Sequence, residues 1–377
     1  MRIALVYLGR HGAGGPISYQ LATHLNALTS VFAVISRSAD NVAIWRASRI
    51  PFIEIETYAS PGQVLVSMLD VQRHRYLQER IVQESPDVLF FPMLHTWAPI
   101  ILWRLRAIPS VVTIHDPEPH PGLVDYASWR WSRLSIRLAT RCVVLSAIFV
   151  PTLQRLGVPS DRVDVIPLGE LSCYRDLSRT SATTYSSAPT ILFFGRITPY
   201  KGLEVLLEAF MTIERETDAR LLIVGAGSLA PYAKMIANLS RIEIVNRWIP
   251  DDEVDIYFRQ ADLVVAPYTS ASQSGVVAIA TSLGIPVVAS RVGGLCDQID
   301  HERTGILVEP ASVEDLTNWC LRLIRDPVLA AQLAQQAKRR AQSEFGWPTM
   351  AKKVIRSCCL AITAQDCDAS HSAAKCP

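Results

Sequence analysis

Two cations of different geometry stand close together near the middle of the chain. Gly195-Arg196 ends an apolar run, and Lys201-Gly202 precedes a helix-length segment. Backbone N–H groups at the start of a helix attract anions. Arginine adds a planar fork for phosphate oxygens, and lysine adds a compact charge. This pattern predicts a site that binds a diphosphate and stabilises it as it departs, and the alternative is a pair of solvated cations in a loop.

Three other segments have the same order of apolar run, small-residue turn and helix. They are Gly12-Ala13-Gly14-Gly15-Pro16, Val224-Gly225-Ala226-Gly227-Ser228 and residues 268–277. The first lacks the G-x-G-x-x-G spacing, which disfavours a dinucleotide site. Glycine turns admit a ligand close to the backbone, but glycines also serve packing and serines also cap helices. Each segment is therefore a candidate for ligand binding and a candidate for an ordinary turn.

Titratable groups concentrate in His115-Asp116-Pro117-Glu118-Pro119-His120, directly after another apolar run. Ligands gather at such strand ends in open α/β sheets. A metal site could be built from His115, Asp116 and His120, whereas the two prolines favour a rigid turn. We expect no metal here.

Arginines recur at helical spacing between positions 128 and 141, at Arg130, Arg133, Arg137 and Arg141, with Trp129 and Trp131 beside them. This face fits an interfacial helix on anionic lipid headgroups, or a solvated helix whose tryptophans lie in the core.

The first half of the chain carries a small positive net charge. Residues 1–189 hold 18 arginines, no lysine and 14 acidic residues, which gives +4. So small an excess fits a membrane surface or a phosphorylated lipid and argues against a dedicated nucleic-acid binder.

The eight cysteines show no metal-ligand spacing, which favours reduced thiols in a cytoplasmic protein. The N-terminal apolar run is too short for a signal peptide, and no run approaches a membrane span. We expect a cytoplasmic protein that can also associate peripherally with the inner face of the membrane.

Short apolar runs alternate with helix-length segments from the first residue to about 345. That alternation predicts βαβ units, parallel sheets and an α/β fold, and 377 residues suggest two domains. The predicted strands are 3–8, 31–36, 87–92, 110–115, 141–146 and 163–167 in the first half, and 190–194, 220–225, 242–246, 263–267, 286–290 and 305–308 in the second.

The polar, Ser/Thr-rich segment 172–189 separates the predicted strands of the first half from those of the second half. Its composition is typical of a linker. The predicted organisation is an N-terminal domain over 1–171, the linker, and a C-terminal domain over 190–347. A terminal helix over 348–362 and a flexible tail over 363–377 follow.

The order of these motifs closely resembles that of retaining GT-B glycosyltransferases of the family 4 type, and the resemblance spans nearly the whole chain. Each mark is weak alone, and the ordered set is specific. The marks are Gly14-Gly15, Thr113-Ile114-His115-Asp116, Gly195-Arg196 with Lys201-Gly202, Val224-Gly225-Ala226-Gly227, Ala261-Asp262, Gly284-Ile285-Pro286-Val287-Val288-Ala289-Ser290, Gly293-Gly294 and Thr304-Gly305.

This resemblance implies two Rossmann-like, doubly wound domains facing a central cleft, with the terminal helix crossing back to the first domain. It also implies roles for particular residues. Arg196 and Lys201 would hold the donor diphosphate, His115 would face the reacting sugar, and Gly14-Gly15 would approach donor or acceptor. Residues Arg247, Trp248 and Ile249 would lie near the nucleobase. Gly195, Gly225 and Gly227, with Gln273, Ser274, Gly275 and Val276, complete the expected nucleotide site.

One departure from the family pattern affects activity. Members often carry two glutamates, separated by seven residues, around the donor ribose and sugar, and the matching positions here are Ser272 and Ala280. The amide and hydroxyls of Gln273-Ser274-Gly275 are the nearest substitutes.

The sequence thus predicts a retaining glycosyltransferase that moves a hexosyl group from a nucleoside diphosphate sugar to a glycan or lipid-linked acceptor. Its expected setting is cell-surface or exopolysaccharide synthesis, with no cofactor and no nucleic-acid partner. A non-catalytic sugar-nucleotide or glycan-binding subunit is the alternative, and a sugar-nucleotide epimerase on the same fold is a further one.

Overall fold

A computed structural model describes residues 1–58, 60–118, 126–178 and 188–373. The chain divides into two compact units. Unit 1 comprises residues 1–119, 125–167 and 347–377, and unit 2 comprises 120–124 and 168–346.

Unit 1 contains a seven-stranded sheet in which every described pair of strands is parallel, in the order β3-β2-β1-β4-β5-β6-β7. Its strands are β1 (Arg2–Tyr7), β2 (Ser30–Ser36), β3 (Phe52–Ile55), β4 (Val88–Phe91), β5 (Ser110–Ile114), β6 (Arg141–Val144) and β7 (Val163–Val165). Its first seven helices are α1 (Gly14–Asn26), α2 (Val42–Ala47), α3 (Val64–Leu69), α4 (Val71–Gln83), α5 (Ala98–Arg104), α6 (Tyr126–Leu138) and α7 (Val150–Arg155).

Unit 2 contains a six-stranded sheet, also parallel, in the order β10-β9-β8-β11-β12-β13. Its strands are β8 (Thr190–Phe194), β9 (Arg220–Val224), β10 (Ile242–Val245), β11 (Leu263–Ala266), β12 (Val287–Ser290) and β13 (Ile306–Val308). Its helices are α8 (Cys173–Leu177), α9 (Leu203–Glu216), α10 (Ala233–Ile236), α11 (Asp251–Phe258), α12 (Gly275–Leu283), α13 (Leu295–Gln298), α14 (Val313–Arg325) and α15 (Pro327–Glu344).

The final helix, α16 (Trp347–Ala373), belongs to unit 1, where it packs on α1, β4 and β5. Its residues Met350, Ala351, Val354 and Cys358 are almost completely buried. α16 continues past Ile362, where the sequence predicted that the terminal helix would end, and residues 374–377 lie outside the described part.

Strands such as β4 and β11 are buried along their whole length, because helices cover both faces of a parallel sheet. Two Rossmann-like α/β domains, as predicted, are therefore confirmed. Each sheet has its own hydrophobic core. Among the described residues, no helix is both long and apolar enough to cross a membrane.

Several local predictions differ from the structure. β3 was not predicted, and α1 begins at Gly14, inside the segment that was predicted as a small-residue turn. The linker prediction also needs correction, because α8 lies within 172–189 and buries Cys173 and Tyr174. Arg141 is not on the helix with the other arginines, since it opens β6 and forms an ion pair with Asp164.

Candidate functional site

The strand order of unit 2 reverses direction next to β8. The chain proceeds from β8 through β9 to β10 on one side, and then continues on the other side with β11. Ligands of open parallel sheets bind at the carboxyl ends of the strands beside such a reversal. This rule singles out the loops that follow β8 and β11, residues 195–202 and 267–274.

These two loops contact each other through the backbone. The amide N of Thr269 donates to the carbonyl O of Tyr200 at 2.8 Å. Gly202 has φ +68°, and a Cβ there would stand 1.9 Å from the carbonyl O of Pro267. Position 202 therefore requires glycine both for its left-handed backbone and for this close contact.

Lys201 lies at the contact between the two loops. Its Nζ is 3.7 Å from the centroid of the Tyr268 ring and 5.3 Å from that of Tyr200. Among the described residues no carboxylate forms an ion pair with it. Because an aromatic face holds a cation without neutralising it, this ammonium group is available to an anion.

Arg196 stands on the same loop, directly after Gly195, whose φ is +111°. The side chain of Arg196 is exposed, and it has neither a hydrogen bond nor an ion pair to any part of the chain that the structure describes. The structure thus brings the two predicted cations onto one loop, with Lys201 seated on aromatic rings and Arg196 reaching into solvent.

The glycine turn after β9 lies alongside this loop. A Cβ on Gly225 would stand 2.0 Å from the carbonyl O of Gly195, and one on Gly227 would stand 2.3 Å from that of Ile197. The amide N of Ile197 also donates to the carbonyl O of Ala226 at 2.9 Å. Gly225 and Gly227 therefore allow two loops to approach each other, which is a packing reason beside the predicted one of nucleotide approach.

Helix α12 begins at the predicted Gln273-Ser274-Gly275-Val276 segment. Ser274 caps the helix, since its Oγ accepts from the amide N of Val277 at 3.2 Å. Gln298 holds the backbone of Ser274 from both sides, with its Oε1 accepting from Ser274 N at 2.8 Å and its Nε2 donating to Ser274 O at 3.0 Å. This segment is therefore held firmly at the start of a helix whose N-terminus favours anions.

Two polar atoms at these loops are buried without a hydrogen-bond partner among the described residues. They are Oε1 of Gln273 and Oγ1 of Thr198. Because buried polar atoms are rarely left unsatisfied, both atoms are suited to a polar ligand.

The two positions that depart from the family's glutamates lie inside the protein. Ser272 is 4% exposed, and Ala280 is completely buried within α12. Neither residue carries a carboxylate, so these two positions supply no charged group to a ligand in this chain.

The predicted nucleobase segment follows β10. Arg247 forms an ion pair with Glu253, which raises the pKa of the guanidinium, and its side chain also donates to the Tyr257 hydroxyl at 3.1 Å. Trp248 is 46% exposed, whereas Ile249 is buried. The indole of Trp248 is therefore the accessible flat surface of this segment.

In unit 1 the strand order reverses between β1 and β4. The predicted Gly14 and Gly15 open α1 beside this point, and a Cβ on them would stand 2.7 Å from Sδ of Met93 and 2.9 Å from Cγ of Asn41. Both glycines thus have packing reasons.

His115 follows β5, and its Nε2 lies 2.9 Å from the carbonyl O of Pro92. Burial lowers the pKa of His115 because it disfavours the charged imidazolium. The ring is therefore neutral near pH 7, and Nε2–H donates to the carbonyl. Of the alternative metal ligands, His120 lies outside the described residues.

Sequence reasoning missed a second group of polar side chains at this edge of unit 1. Tyr58 stacks on His95 with ring centroids 5.4 Å apart, and Arg10 lies over Tyr58 at 5.0 Å. Burial lowers the pKa of His95 to about 3. Its Nδ1 accepts from the amide N of Trp97, which leaves Nε2 as a buried donor without a partner among the described residues.

Tyr268 in unit 2 lies in the predicted candidate segment 268–277, but no role of its own was predicted for it. The sequence did contain a signal for these residues, because each of them follows the carboxyl end of a predicted or observed strand. Only the sheet order shows which of the strand ends are neighbours.

Comparisons with known proteins concern the family and the fold of the chain. Residues 188–326 match the protein family described as "Glycosyl transferases group 1", and residues 12–169 match the family described as "Glycosyl transferase 4-like domain". The D-inositol 3-phosphate glycosyltransferase of Rhodococcus erythropolis (strain PR4) is 32% identical over 365 residues, which is 88% of this chain and 80% of the relative. The protein of the same name from Rhodococcus jostii is 27% identical over 364 residues, covering 88% of this chain and 78% of the relative.

Among solved structures, HepE of Anabaena in complex with UDP and glucose superimposes with a TM-score of 0.71. The two sequences are 17% identical, and the match covers 95% of this chain and 99% of that one. This likeness shows the fold.

Proposed function

The chain belongs to the group 1 glycosyltransferases of the GT-B fold, and on that premise we propose that it transfers a hexosyl group from a nucleoside diphosphate sugar with retention of the anomeric configuration. The observation that carries the proposal is Lys201, a cation seated on Tyr268 with no carboxylate partner in the described chain. It lies where the sheet order of unit 2 predicts a ligand, on the same loop as Arg196.

In the proposed reaction the loops after β8 and β11 hold the diphosphate. Lys201 and Arg196 neutralise the charge that develops on the leaving group, and the N-terminus of α12 adds a partial positive charge. The acceptor hydroxyl attacks from the same face as the leaving group, whose phosphate oxygen takes the hydroxyl proton. No nucleophilic side chain is required, which is compatible with Ser272 and Ala280 at the positions of the family's glutamates.

We place the base of the nucleotide at the segment after β10. In this proposal the exposed ring of Trp248 provides a flat surface for the base, and Arg247 and Ile249 lie beside it in the sequence. Since HepE of Anabaena binds UDP, UDP is the first nucleotide to test.

Unit 1 is the proposed acceptor domain. The neutral Nε2–H of His95 and the guanidinium of Arg10 are donors for hydroxyl or phosphate oxygens, and Tyr58 offers a ring face to a sugar. We propose a glycan or lipid-linked acceptor in cell-surface or exopolysaccharide synthesis. Because two relatives are named for D-inositol 3-phosphate, that compound belongs in the acceptor panel.

A lipid-linked acceptor requires the enzyme to work at a membrane surface, and we propose peripheral association with the inner face. Arg130 and Arg137 on α6 are exposed and have no ion-pair partner among the described residues. α6 contains no acidic residue, so this helix can meet anionic headgroups.

The proposal is tested in two steps. A thermal-shift screen of UDP, GDP and ADP sugars identifies the donor, because a ligand that binds the folded state raises its melting temperature. Release of the nucleoside diphosphate is then followed with glycan, inositol-phosphate and lipid-linked acceptors, and NMR of the product reports the anomeric configuration.

Acceptor-dependent release with retained configuration is the expected result. Donor binding without transfer to any acceptor class would instead support a binding subunit, and interconversion of the donor sugar without acceptor would support an epimerase. A screen in which no nucleotide shifts the melting temperature would remove the donor-site assignment itself.

A further inference from the structure

Unit 1 carries a group of aliphatic side chains that point away from its core. Leu65, Val66 and Leu69 on α3 are 73%, 71% and 79% exposed, and Val71 at the start of α4 is 63% exposed. We call these four residues the α3 patch. Four aliphatic residues within seven positions are thus strongly exposed, and soluble proteins rarely keep a large exposed apolar patch without a partner.

The polarity of α3 is inverted relative to an ordinary surface helix. Its buried residue is Ser67, whose Oγ accepts from Nε1 of Trp97 at 3.1 Å, while its carbonyl O lies 3.1 Å from Nε2 of His74. A surface helix of a soluble domain turns its apolar face inward and its polar face outward. The hydrogen bonds of Ser67, together with Met68 packed against the core, hold α3 in place while Leu65, Val66 and Leu69 face outward.

The anchor of α3 connects this patch to the basic helix. Trp97 precedes α5, and the neighbouring Thr96 accepts, through its carbonyl O, a hydrogen bond of 2.6 Å from Nε1 of Trp131 on α6. Trp131 of α6 therefore lies beside Thr96, the residue next to the Trp97 that holds α3. The exposed side of α6 includes Arg130, Leu134, Arg137 and Leu138.

The α3 patch and the arginines of α6 are connected through the segment that precedes α5, Thr96 and Trp97. Helix α5 packs against both α4 and α6, and α6 contributes arginines without a single acidic residue. Aliphatic side chains with adjoining arginines are the composition that enters the interfacial layer of an anionic bilayer.

We propose that the α3 patch inserts into the interfacial layer of an anionic lipid bilayer while Arg130 and Arg137 bind its headgroups. The inference rests on the proposed work at a membrane surface and names the element that performs it, and it does not depend on the donor assignment. The patch adjoins the carboxyl end of β4, where His95 lies, so insertion would bring a lipid-linked acceptor to the proposed acceptor side chains.

Sedimentation with vesicles tests the inference on the full chain. Vesicles of phosphatidylcholine alone are compared with vesicles that also hold about 30 mol % phosphatidylglycerol. The wild type should partition onto the anionic vesicles at least about tenfold more strongly. Leu65→Ser/Val66→Ser/Leu69→Ser should reduce that partitioning by at least about tenfold, because the patch supplies the apolar area.

Two other variants complete the design. Leu28→Ser/Val328→Ser removes aliphatic residues that are 51% and 65% exposed elsewhere, and it should bind vesicles as the wild type does. Arg130→Gln/Arg137→Gln should lose the preference for anionic vesicles. All of these substitutions are at exposed positions, so folding is expected to be retained, and a wild-type melting temperature confirms it.

The inference is overturned if the wild type does not bind anionic vesicles, or if the α3 triple variant binds them as strongly as the wild type. It is also overturned if, without lipid, the wild type is a dimer that the triple variant converts to a monomer, because a second copy then covers the patch. The nucleotide-induced thermal shift of unit 2 is recorded on every variant, so failure here is distinguishable from failure of the proposed transfer activity.

Discussion

At position 201 an aromatic ring, rather than a carboxylate, holds the cation. Nζ of Lys201 lies 3.7 Å from the ring centroid of Tyr268, and the Tyr268 hydroxyl is 3.2 Å from Oγ of Ser274. A carboxylate would cancel the charge that a diphosphate needs, whereas a ring face orients the ammonium group and leaves its charge intact. The position of the ammonium group is therefore part of the proposed donor site.

The ring face of Tyr268 can be tested apart from its hydroxyl. Tyr268→Leu should weaken UDP binding by about 3- to 10-fold, because the cation–π contact is lost. Tyr268→Phe keeps the ring and should bind within about twofold of the wild type. Isothermal titration measures both affinities, and equal losses in the two variants would show that the hydroxyl, and not the ring, supports the site.

His95 predicts a pH dependence of stability. Its folded pKa of about 3 lies below the usual value of about 6.5, chiefly because burial disfavours the charged imidazolium, and Arg10 and His74 add repulsion. Between these two values the unfolded chain binds a proton that the folded chain does not. Stability is therefore complete above about pH 6.5 and falls as the pH decreases toward 3, and His95 accounts for up to about 2 kcal/mol of the loss between pH 7 and pH 5.

Urea unfolding at pH 7, 6 and 5 measures this effect. His95→Gln cannot take up the proton, so its free energy of unfolding should fall less steeply with decreasing pH than that of the wild type. Parallel slopes for the two proteins would show that His95 titrates normally in the folded state.

Among the elements, the glycine turns after β8 and β9 determine how closely the site loops approach. Gly225 has φ +141°, and a Cβ there would meet the carbonyl O of Gly195 at 2.0 Å. Gly225→Ala should therefore lower the free energy of unfolding by at least about 2 kcal/mol. Chemical denaturation provides the measurement.

Gly275 is the matched control for that substitution. A Cβ at position 275 meets no atom within 4 Å, and the residue opens α12. Gly275→Ala should change stability by no more than about 1 kcal/mol, with stabilisation expected. If Gly225→Ala were equally mild, the two loops would have room to separate and the close approach would not be required.

The sequence was sufficient to predict most of the strands, but not the edge strand β3. Runs such as 88–91 and 263–266 are continuously apolar because both faces are buried, and they were predicted as strands. β3 alternates Phe52, Ile53, Glu54 and Ile55 at the edge of its sheet, where only one side chain in two is fully buried. Four residues with an internal glutamate are too weak a signal to separate from a loop.

The sequence was enough to predict which loops form the candidate site, but not which residues of those loops contact each other. Arg196 and Lys201 were identified because a glycine turn between a strand and a helix limits where such cations can lie. The contact of Lys201 with Tyr268 joins loops 67 residues apart, and it depends on β11 lying next to β8. Similarly, Arg141 fits the helical spacing of Arg137 but belongs to the next strand, because the helix ends at Leu138.

For the molecule as a whole, unit 1 is completed by the last helix of the chain. α16 packs on α1, β4 and β5, and Oγ of Ser357 donates to Oδ2 of Asp164 at 2.6 Å beside the ion pair with Arg141. Folding of unit 1 therefore requires residues separated by most of the sequence. Unit 2 contains no part of α16.

This division predicts a selective loss of stability. Val354 is 2% exposed, so Val354→Asp buries an unpaired carboxylate and should destabilise unit 1 by at least about 3 kcal/mol. Leu360→Asp, on the same helix at 39% exposure, should be nearly neutral. Calorimetry should show a lowered transition for unit 1 in the first variant, while the nucleotide-induced shift of unit 2 persists, and loss of that shift would contradict the division.

The central claim is that Arg196 and Lys201 bind the diphosphate of the donor. Isothermal titration with UDP and with uridine, which lacks phosphate, tests it most directly. Arg196→Ala/Lys201→Ala should weaken UDP binding on the order of 100-fold and leave uridine binding unchanged, because only phosphate contacts are removed. Lys234→Ala, an exposed cation on α10, should bind both compounds as the wild type does. UDP binding at wild-type affinity by the double variant would contradict the claim.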